Sequence, residues 1–400
     1  MRNDTGASRT AKCFAGVLIM SLLLAACATH RGPTVNEAAV RSFAARGYVA
    51  AENDSVTTSM HDWWMAGRNV HVVLATPGNA KAHPLVIYLP GMGEPAAAGE
   101  RWRNAWASAG YVVLSIQPLL EDATAWQSDL ARDGDFKTLG RQRYAGTAMS
   151  QRVRVLAEIV GEARRRGAAG EAPWQAIDWN RVAIAGFDLG AYTAMTVAGE
   201  HVRDADDASG RLSVAAAIAL SPYASASAGS MDTRYKDMHA PVLSMTSDVD
   251  SDVLGLVESA SLRDAPFERM AGPDKYLLSL RGLPHADFSG TPAAPQAGGG
   301  SSKHAQASGS DEGNNGGQRG RARKQRNSGD SAGQDVDRGH RDDEDGERLS
   351  PTAAQLRLVA VQNVSTAFLD AYLKGQPAAR EWLAGGASRW LDESGELRRK

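Results

Sequence analysis

The chain has 400 residues, 43% of them hydrophobic, so it is long and apolar enough to bury a sizeable core, and a wholly disordered or collagen-like chain is excluded. Its 44 basic and 46 acidic residues leave a net charge of −2, so no overall positive field attracts nucleic acid, and we predict no nucleic-acid partner. The two cysteines, Cys13 and Cys27, both lie near the N-terminus, which excludes a disulfide framework or a cysteine metal site in the rest of the sequence.

The N-terminus has the pattern of an export signal. Basic residues precede a largely apolar run, residues 13–26, which is too short to span a bilayer comfortably. The run closes on a Leu-Ala-Ala-Cys motif ending at Cys27, which resembles the lipobox of bacterial lipoproteins. This resemblance implies cleavage before Cys27, a lipid such as palmitate on that cysteine, and, because Ala28 follows it, sorting to the outer membrane. The alternative is an ordinary secretory peptide cleaved after Ala26, and both interpretations predict an exported protein.

Seven short apolar runs bounded by turn residues predict strands buried on both faces. They are residues 70–75, 84–89, 111–116, 181–185, 214–220, 241–245 and 276–280. Helical patterns lie between and after them, over residues 102–109, 140–166, 191–202 and 352–374. This alternation predicts an α/β fold with a mainly parallel sheet covered by helices, and the alternating pattern of residues 54–76 suggests an antiparallel start.

Residues 291–348 differ in composition from the sequence around them. They contain no aromatic residue, and Val336 is their only aliphatic residue larger than alanine. Such a segment cannot bury enough apolar surface to order itself, so we predict a disordered polar insertion. Its basic block, residues 319–326, is suited to contact with anionic lipid headgroups.

The most specific motif is a strand, a sharp turn and a small-residue helix over residues 181–195. The turn, Gly-Phe-Asp-Leu-Gly, has Asp188 at its centre. The motif resembles the nucleophile elbow of α/β-hydrolases, in which the central residue is most often a serine. Residues 84–93 resemble the strand and oxyanion loop of that family, which implies that the amides of Met92 and Leu189 bind developing negative charge.

Two further segments follow in the order that the resemblance requires. Asp250 follows the run at 241–245 and fits the position of the family's acid, with Asp248 and Asp252 as alternatives. His285 follows the run at 276–280, where the family presents its histidine. The resemblance thus implies an α/β-hydrolase fold without a large cap domain, similar to dienelactone hydrolases and bacterial platelet-activating-factor acetylhydrolase-like esterases.

The predicted organisation has five parts: a signal peptide, a tether, a hydrolase domain, the polar insertion, and C-terminal helices that complete the domain. Their bounds are residues 1–26, 27–53, 54–290, 291–348 and 349–400. We expect an exported, lipid-anchored hydrolase of the carboxylic-ester type. Its expected partners are a small or amphiphilic substrate and, through the lipid, a membrane, and its oligomeric state is left open. We predict no cofactor and no metal, because the histidines are scattered and no nucleotide-binding or HExxH motif is present.

An aspartate at the elbow changes the expected chemistry. Aspartate is ionised at neutral pH without help from a base, and its attack on a saturated carbon gives an ester that His285 hydrolyses by activating water. Attack on an ester carbonyl instead gives a mixed anhydride, which is a poor route. The alternative is a catalytically degenerate envelope protein that uses the pocket for binding. Trp126 and Phe136, in a possible lid over residues 119–139, either line the pocket or pack in the core.

Overall fold

The structure is a computed structural model that describes residues 34–79, 81–206, 211–252, 254–292 and 349–400. The predicted signal peptide, the lipid-anchor residue Cys27 and the predicted insertion beyond residue 292 lie outside the described residues. In the ranges that are described, no helix combines the length and the apolar character needed to cross a membrane.

Nine strands of the described chain form a single mixed sheet in the order β1-β2-β4-β3-β5-β6-β7-β8-β9. The strands are β1 (Val56–Met65), β2 (Arg68–Pro77), β3 (His83–Leu89), β4 (Val112–Ile116), β5 (Ile177–Phe187), β6 (Ala216–Leu220), β7 (Val242–Ser247), β8 (Lys275–Leu280) and β9 (Gly395–Arg399). Strands β3 to β8 run parallel to one another, whereas β1, β2 and β9 are antiparallel to their neighbours. The predicted α/β character, the mainly parallel sheet and its antiparallel start are confirmed.

Twelve α-helices in the described residues surround this sheet. They are α1 (Glu37–Arg46), α2 (Glu100–Ser108), α3 (Leu120–Ala123), α4 (Asp129–Arg132), α5 (Phe136–Arg143), α6 (Gly146–Ala168), α7 (Leu189–Val197), α8 (Met231–Arg234), α9 (Ala265–Arg269), α10 (Pro351–Tyr372), α11 (Pro377–Glu381) and α12 (Ala387–Leu391). The helix predicted over residues 140–166 is two helices, α5 and α6, because Ala145 between them is extended, with φ −64° and ψ 147°.

The hydrophobic core has two parts, one on each face of the sheet. Successive side chains of a strand point to opposite faces, so Leu85 and Ile87 of β3 pack into one part, and Val86 and Tyr88 into the other. Helices α6 and α7 cover the first face, while α2 and α10 cover the second. Burial on both faces explains why the central strands have continuous apolar sequences.

The end of the chain is part of the same packed unit as the segment before residue 291. The buried carboxylate of Asp370 in α10 accepts hydrogen bonds from the hydroxyls of Tyr48, at 2.7 Å, and Tyr111, at 2.6 Å. Lys374 lies 3.1 Å from the same carboxylate. These contacts attach α10 to the segment after α1 and to the start of β4. The chain then ends in β9, a strand that the sequence analysis does not predict, which pairs with β8 and covers that edge of the sheet.

Candidate active site

A strained turn joins β5 to α7 and carries Asp188. This residue has φ 52° and ψ −111°, a conformation that residues with a side chain rarely adopt. A Cβ added at Gly186 would lie 2.2 Å from the carbonyl carbon of Gly190, and one at Gly190 would lie 2.0 Å from the carbonyl oxygen of Leu89. Both glycines are therefore needed for the turn to pack this closely. Asp188 is half-buried, while its neighbours on both sides are buried.

The loop after β3 directs one backbone amide at Asp188. The amide of Gly91 donates to Glu94 Oε2 at 2.8 Å, and that of Gly93 donates to the carbonyl of Asp122 at 2.7 Å. The amide between them, of Met92, donates to Asp188 Oδ2 at 3.4 Å. The flanking hydrogen bonds thus fix the loop in a conformation that turns the Met92 amide towards the elbow.

The second predicted donor, the amide of Leu189, is the first in α7. The first amides of a helix have no intrahelical acceptor, so this group is not used by the hydrogen bonds of α7. Of the two amides singled out in the sequence, the structure places that of Met92 in contact with the carboxylate of Asp188, while that of Leu189 follows Asp188 directly at the start of α7.

Asp250 and His285 form a hydrogen-bonded pair at the same edge of the sheet. Asp250 follows β7, His285 follows β8, and Asp250 Oδ1 lies 2.7 Å from His285 Nδ1. The alternative acids have other partners. Asp248 accepts the amide of Gly282 at 2.6 Å, and Asp252 caps the amides of the turn that follows it.

Three further side chains hold the carboxylate of Asp250, which is buried. Thr246 donates to Oδ2 at 2.8 Å and Ser221 donates to Oδ1 at 2.8 Å, while Arg263 Nε lies 3.2 Å from Oδ1. Ser221 Oγ also lies 2.9 Å from His285 Nδ1. Sequence reasoning missed Ser221 and Arg263. Ser221 directly follows β6 at the same sheet edge, and this position is the signal that could have found it.

The charges in this group shift the pKa values of both partners. Burial alone would lower the pKa of His285, but its hydrogen bond to Asp250 and the negative charges of Asp188 and Asp250 outweigh burial and raise it. Burial alone would raise the pKa of Asp250, but the hydrogen bond from His285 and the charge of Arg263 outweigh it and lower the pKa. The pair is therefore arranged to stabilise an imidazolium, the form that His285 takes when it accepts a proton.

Tyr144, between α5 and α6, is a further contact of Asp188 that sequence reasoning missed. Its hydroxyl donates to Asp188 Oδ1, and its ring packs against those of Tyr192 and Tyr223, with centroid separations of 5.8 and 4.4 Å. Burial and the charge of Asp188 raise the pKa of Tyr144 well above its usual value, so the hydroxyl stays protonated and acts as a donor.

The segment predicted as a lid lies beside the loop after β3. Trp126 covers Gly93 so closely that a Cβ added there would be 2.0 Å from the indole, and the rings of Trp126 and Phe136 are 6.1 Å apart. Each of these two residues is 42% exposed, so they are not part of the core. The segment is anchored by a buried ion pair between Asp122 and Arg152, with a separation of 2.7 Å.

Within the described ranges, no group of three or more His, Cys, Asp or Glu side chains is arranged to hold a metal ion. No protein-family model matches the chain, and no curated protein matches it significantly in sequence. The function is therefore inferred from the geometry of the site.

Proposed function

We propose that the chain is an α/β-hydrolase in which Asp188 is the nucleophile, His285 activates water and Asp250 orients the imidazole. The observation that carries this proposal is the arrangement of Asp188, on a strained turn after β5, beside the hydrogen-bonded pair Asp250–His285. The order of the strands, the elbow after β5 and the histidine after β8 support the hydrolase fold. The short chain between β6 and β7, with only α8 among its α-helices, supports the absence of a large cap there.

The chemistry has two halves. In the first, a carboxylate oxygen of Asp188 attacks an electrophilic carbon of the substrate, a C–O bond forms, and the leaving group departs with the electron pair of the bond that breaks. In the second, His285 takes a proton from water as the water oxygen attacks the carboxyl carbon of Asp188. The tetrahedral intermediate collapses and the alcohol leaves with the proton from His285, which leaves Asp188 as the neutral acid. This acid loses its proton to solvent, and the carboxylate is restored.

The contact between Met92 and Asp188 supports this mechanism in particular. When water attacks an ester on Asp188, negative charge develops on the carboxyl oxygen that does not carry the substrate. The amide of Met92 is 3.4 Å from Asp188 Oδ2, so it is in position to stabilise this charge, and the amide of Leu189 is the second donor.

The mechanism favours substrates with a leaving group on a saturated carbon, such as a haloalkane or an epoxide. A carboxylic ester, the class expected from the resemblance, is less favourable, because a carboxylate that attacks its carbonyl must expel an alkoxide. The exposed aromatic rings of Trp126 and Phe136 beside the oxyanion loop fit a small or amphiphilic molecule. Export and lipid attachment through Cys27 remain part of the proposal.

The test is a turnover screen of the full chain, purified in detergent, against short esters, haloalkanes and epoxides. Asp188→Asn should abolish turnover. His285→Ala should stop after the first half, so that mass spectrometry detects the protein with the substrate's alkyl group added at Asp188. His201→Ala is the matched control, because His201 also pairs with an aspartate, Asp237, at 2.6 Å, but is exposed and lies outside the site. Turnover that survives Asp188→Asn would refute the mechanism.

A second candidate function is that of a catalytically degenerate hydrolase-fold protein of the cell envelope that binds a ligand. The observation in its favour is that both oxygens of Asp188 already accept hydrogen bonds, Oδ1 from Tyr144 and Oδ2 from Met92. A wild-type protein without turnover that gains esterase activity in Asp188→Ser would support this candidate, because the rest of the machinery would then be intact.

A further inference from the structure

The acid of the site is held by a buried arginine. Arg263 belongs to the 3-10 turn Ala260–Asp264 and is only 1% exposed. Its Nε group lies 3.0 Å from the backbone carbonyl of Asp250 and 3.2 Å from Asp250 Oδ1. Burying a cation costs free energy unless the cation is fully paired, so the groups that Arg263 contacts besides Asp250 decide what its burial costs.

The guanidinium of Arg263 also contacts the backbone that follows β6. Its Nη1 donates to the carbonyl of Pro222 at 3.0 Å and to that of Ser221 at 3.4 Å. Ser221 in turn contacts both Asp250 and His285 through its hydroxyl. Arg263 thus connects the chain after β6 to the chain after β7, and through both it fixes the place where the ring of His285 docks.

Three charged groups face the imidazole of His285: Asp250 after β7, Asp188 after β5, and Arg263. The two carboxylates favour the imidazolium, whereas the guanidinium disfavours it. Without Arg263, only the burial of the ring would oppose the two negative charges, and the ring would remain protonated to a higher pH. A protonated ring cannot accept a proton from water, so the cation extends the pH range in which the base is usable.

We propose that Arg263 is a positioning residue that holds Asp250 and Ser221 where they contact His285, and that its positive charge favours the neutral ring, the form that can act as a base. Only the role of His285 as a base rests on the proposed function, since the position and the titration of its ring are measurable without a substrate.

The test is an NMR titration of the His285 ring in the full chain, in wild type and in two variants. Arg263→Gln removes the charge while keeping donors for the carbonyls, and we expect the midpoint of the titration to move to higher pH. Arg263→Lys keeps the charge, and we expect its midpoint to stay close to that of wild type. Arg269→Gln is the matched control, because Arg269 is exposed and pairs with Asp232 outside the site. An unchanged midpoint in folded Arg263→Gln would overturn the proposal.

If Arg263→Gln does not fold, the comparison is made between Asp250→Asn and the double variant Asp250→Asn/Arg263→Gln. In the double variant neither position 250 nor position 263 carries a charge, so no buried charge is left unpaired. The titration midpoint of His285 is expected to be higher in the double variant than in Asp250→Asn. An equal or lower midpoint in the double variant would overturn the proposal equally. If the midpoints move as expected while no substrate is turned over, the proposed enzymatic function fails and the role of Arg263 stands.

Discussion

Gly190→Ala tests how closely α7 packs against the end of β3. The added Cβ would lie 2.0 Å from the carbonyl oxygen of Leu89 and 2.6 Å from that of Pro90, so helix and strand must separate by about 1 Å to reach a 3.0 Å contact. Both atoms belong to the backbone and cannot rotate away. Overpacking of this kind costs about 3 kcal/mol, and the higher helix propensity of alanine returns about 1 kcal/mol. The expected net loss of unfolding free energy is about 2 kcal/mol.

Urea denaturation at 25 °C measures this loss, with Gly161→Ala as the control. Gly161 lies in α6, and a Cβ added there meets nothing within 4 Å, so the control should gain up to about 1 kcal/mol. If Gly190→Ala proved as stable as Gly161→Ala, the close approach of α7 to β3 would be refuted. The displaced strand end leads directly into the loop of Met92, so activity should fall with stability.

Three other predictions concern charged groups. Asp370→Ala leaves the hydroxyls of Tyr48 and Tyr111 and the amine of Lys374 without their carboxylate, so urea unfolding should show a loss of about 3 kcal/mol; no loss would show that these contacts do not stabilise the fold. Folding lowers the pKa of Asp250, so the ionised carboxylate stabilises the fold above about pH 4, and this stabilisation is lost as the pH falls through the lower pKa of the folded protein. The difference in unfolding free energy between wild type and Asp250→Asn should therefore shrink in acid, and a growing difference would contradict this sign. Folding raises the pKa of His285, so the protonated ring stabilises the fold fully below about pH 6.5, and this stabilisation is lost as the pH rises through the pKa of the folded protein. Unfolding at several pH values should show that the difference in unfolding free energy between wild type and His285→Gln decreases as the pH rises; an increase would contradict this sign.

The central strands could be predicted from sequence because burial on both faces gives them uninterrupted apolar runs. The order of the strands in the sheet could not be predicted, since no single apolar run of the sequence shows that β4 lies between β2 and β3. Strand β9 gives no periodic signal either. It is short and charged, Leu397 is its only buried large apolar side chain, and it is recruited by backbone pairing with β8. The break between α5 and α6 also gives no periodic signal, and it places Tyr144 beside Asp188.

For the candidate site, the residues found from sequence are those that directly follow a strand. Parallel strands end at one edge of a sheet, so Asp188, Asp250 and His285 come together there for topological reasons. Ser221 follows the same rule, but a lone serine in the sequence suggests no chemistry. Arg263 follows no strand, and its approach to Asp250 depends on how the turn Ala260–Asp264 packs, which no local pattern expresses.

The strained turn after β5 is imposed by its surroundings and not by the side chain that it presents. Gly186 and Gly190 provide the space in which α7 packs against the end of β3, and position 188, between the two glycines, has a positive φ. A serine, a cysteine or an asparagine in place of Asp188 would still lie beside the amide of Met92, because hydrogen bonds of the neighbouring amides fix that loop. We therefore expect that a single substitution at position 188 exchanges the side chain that the turn presents while the surrounding backbone contacts stay in place.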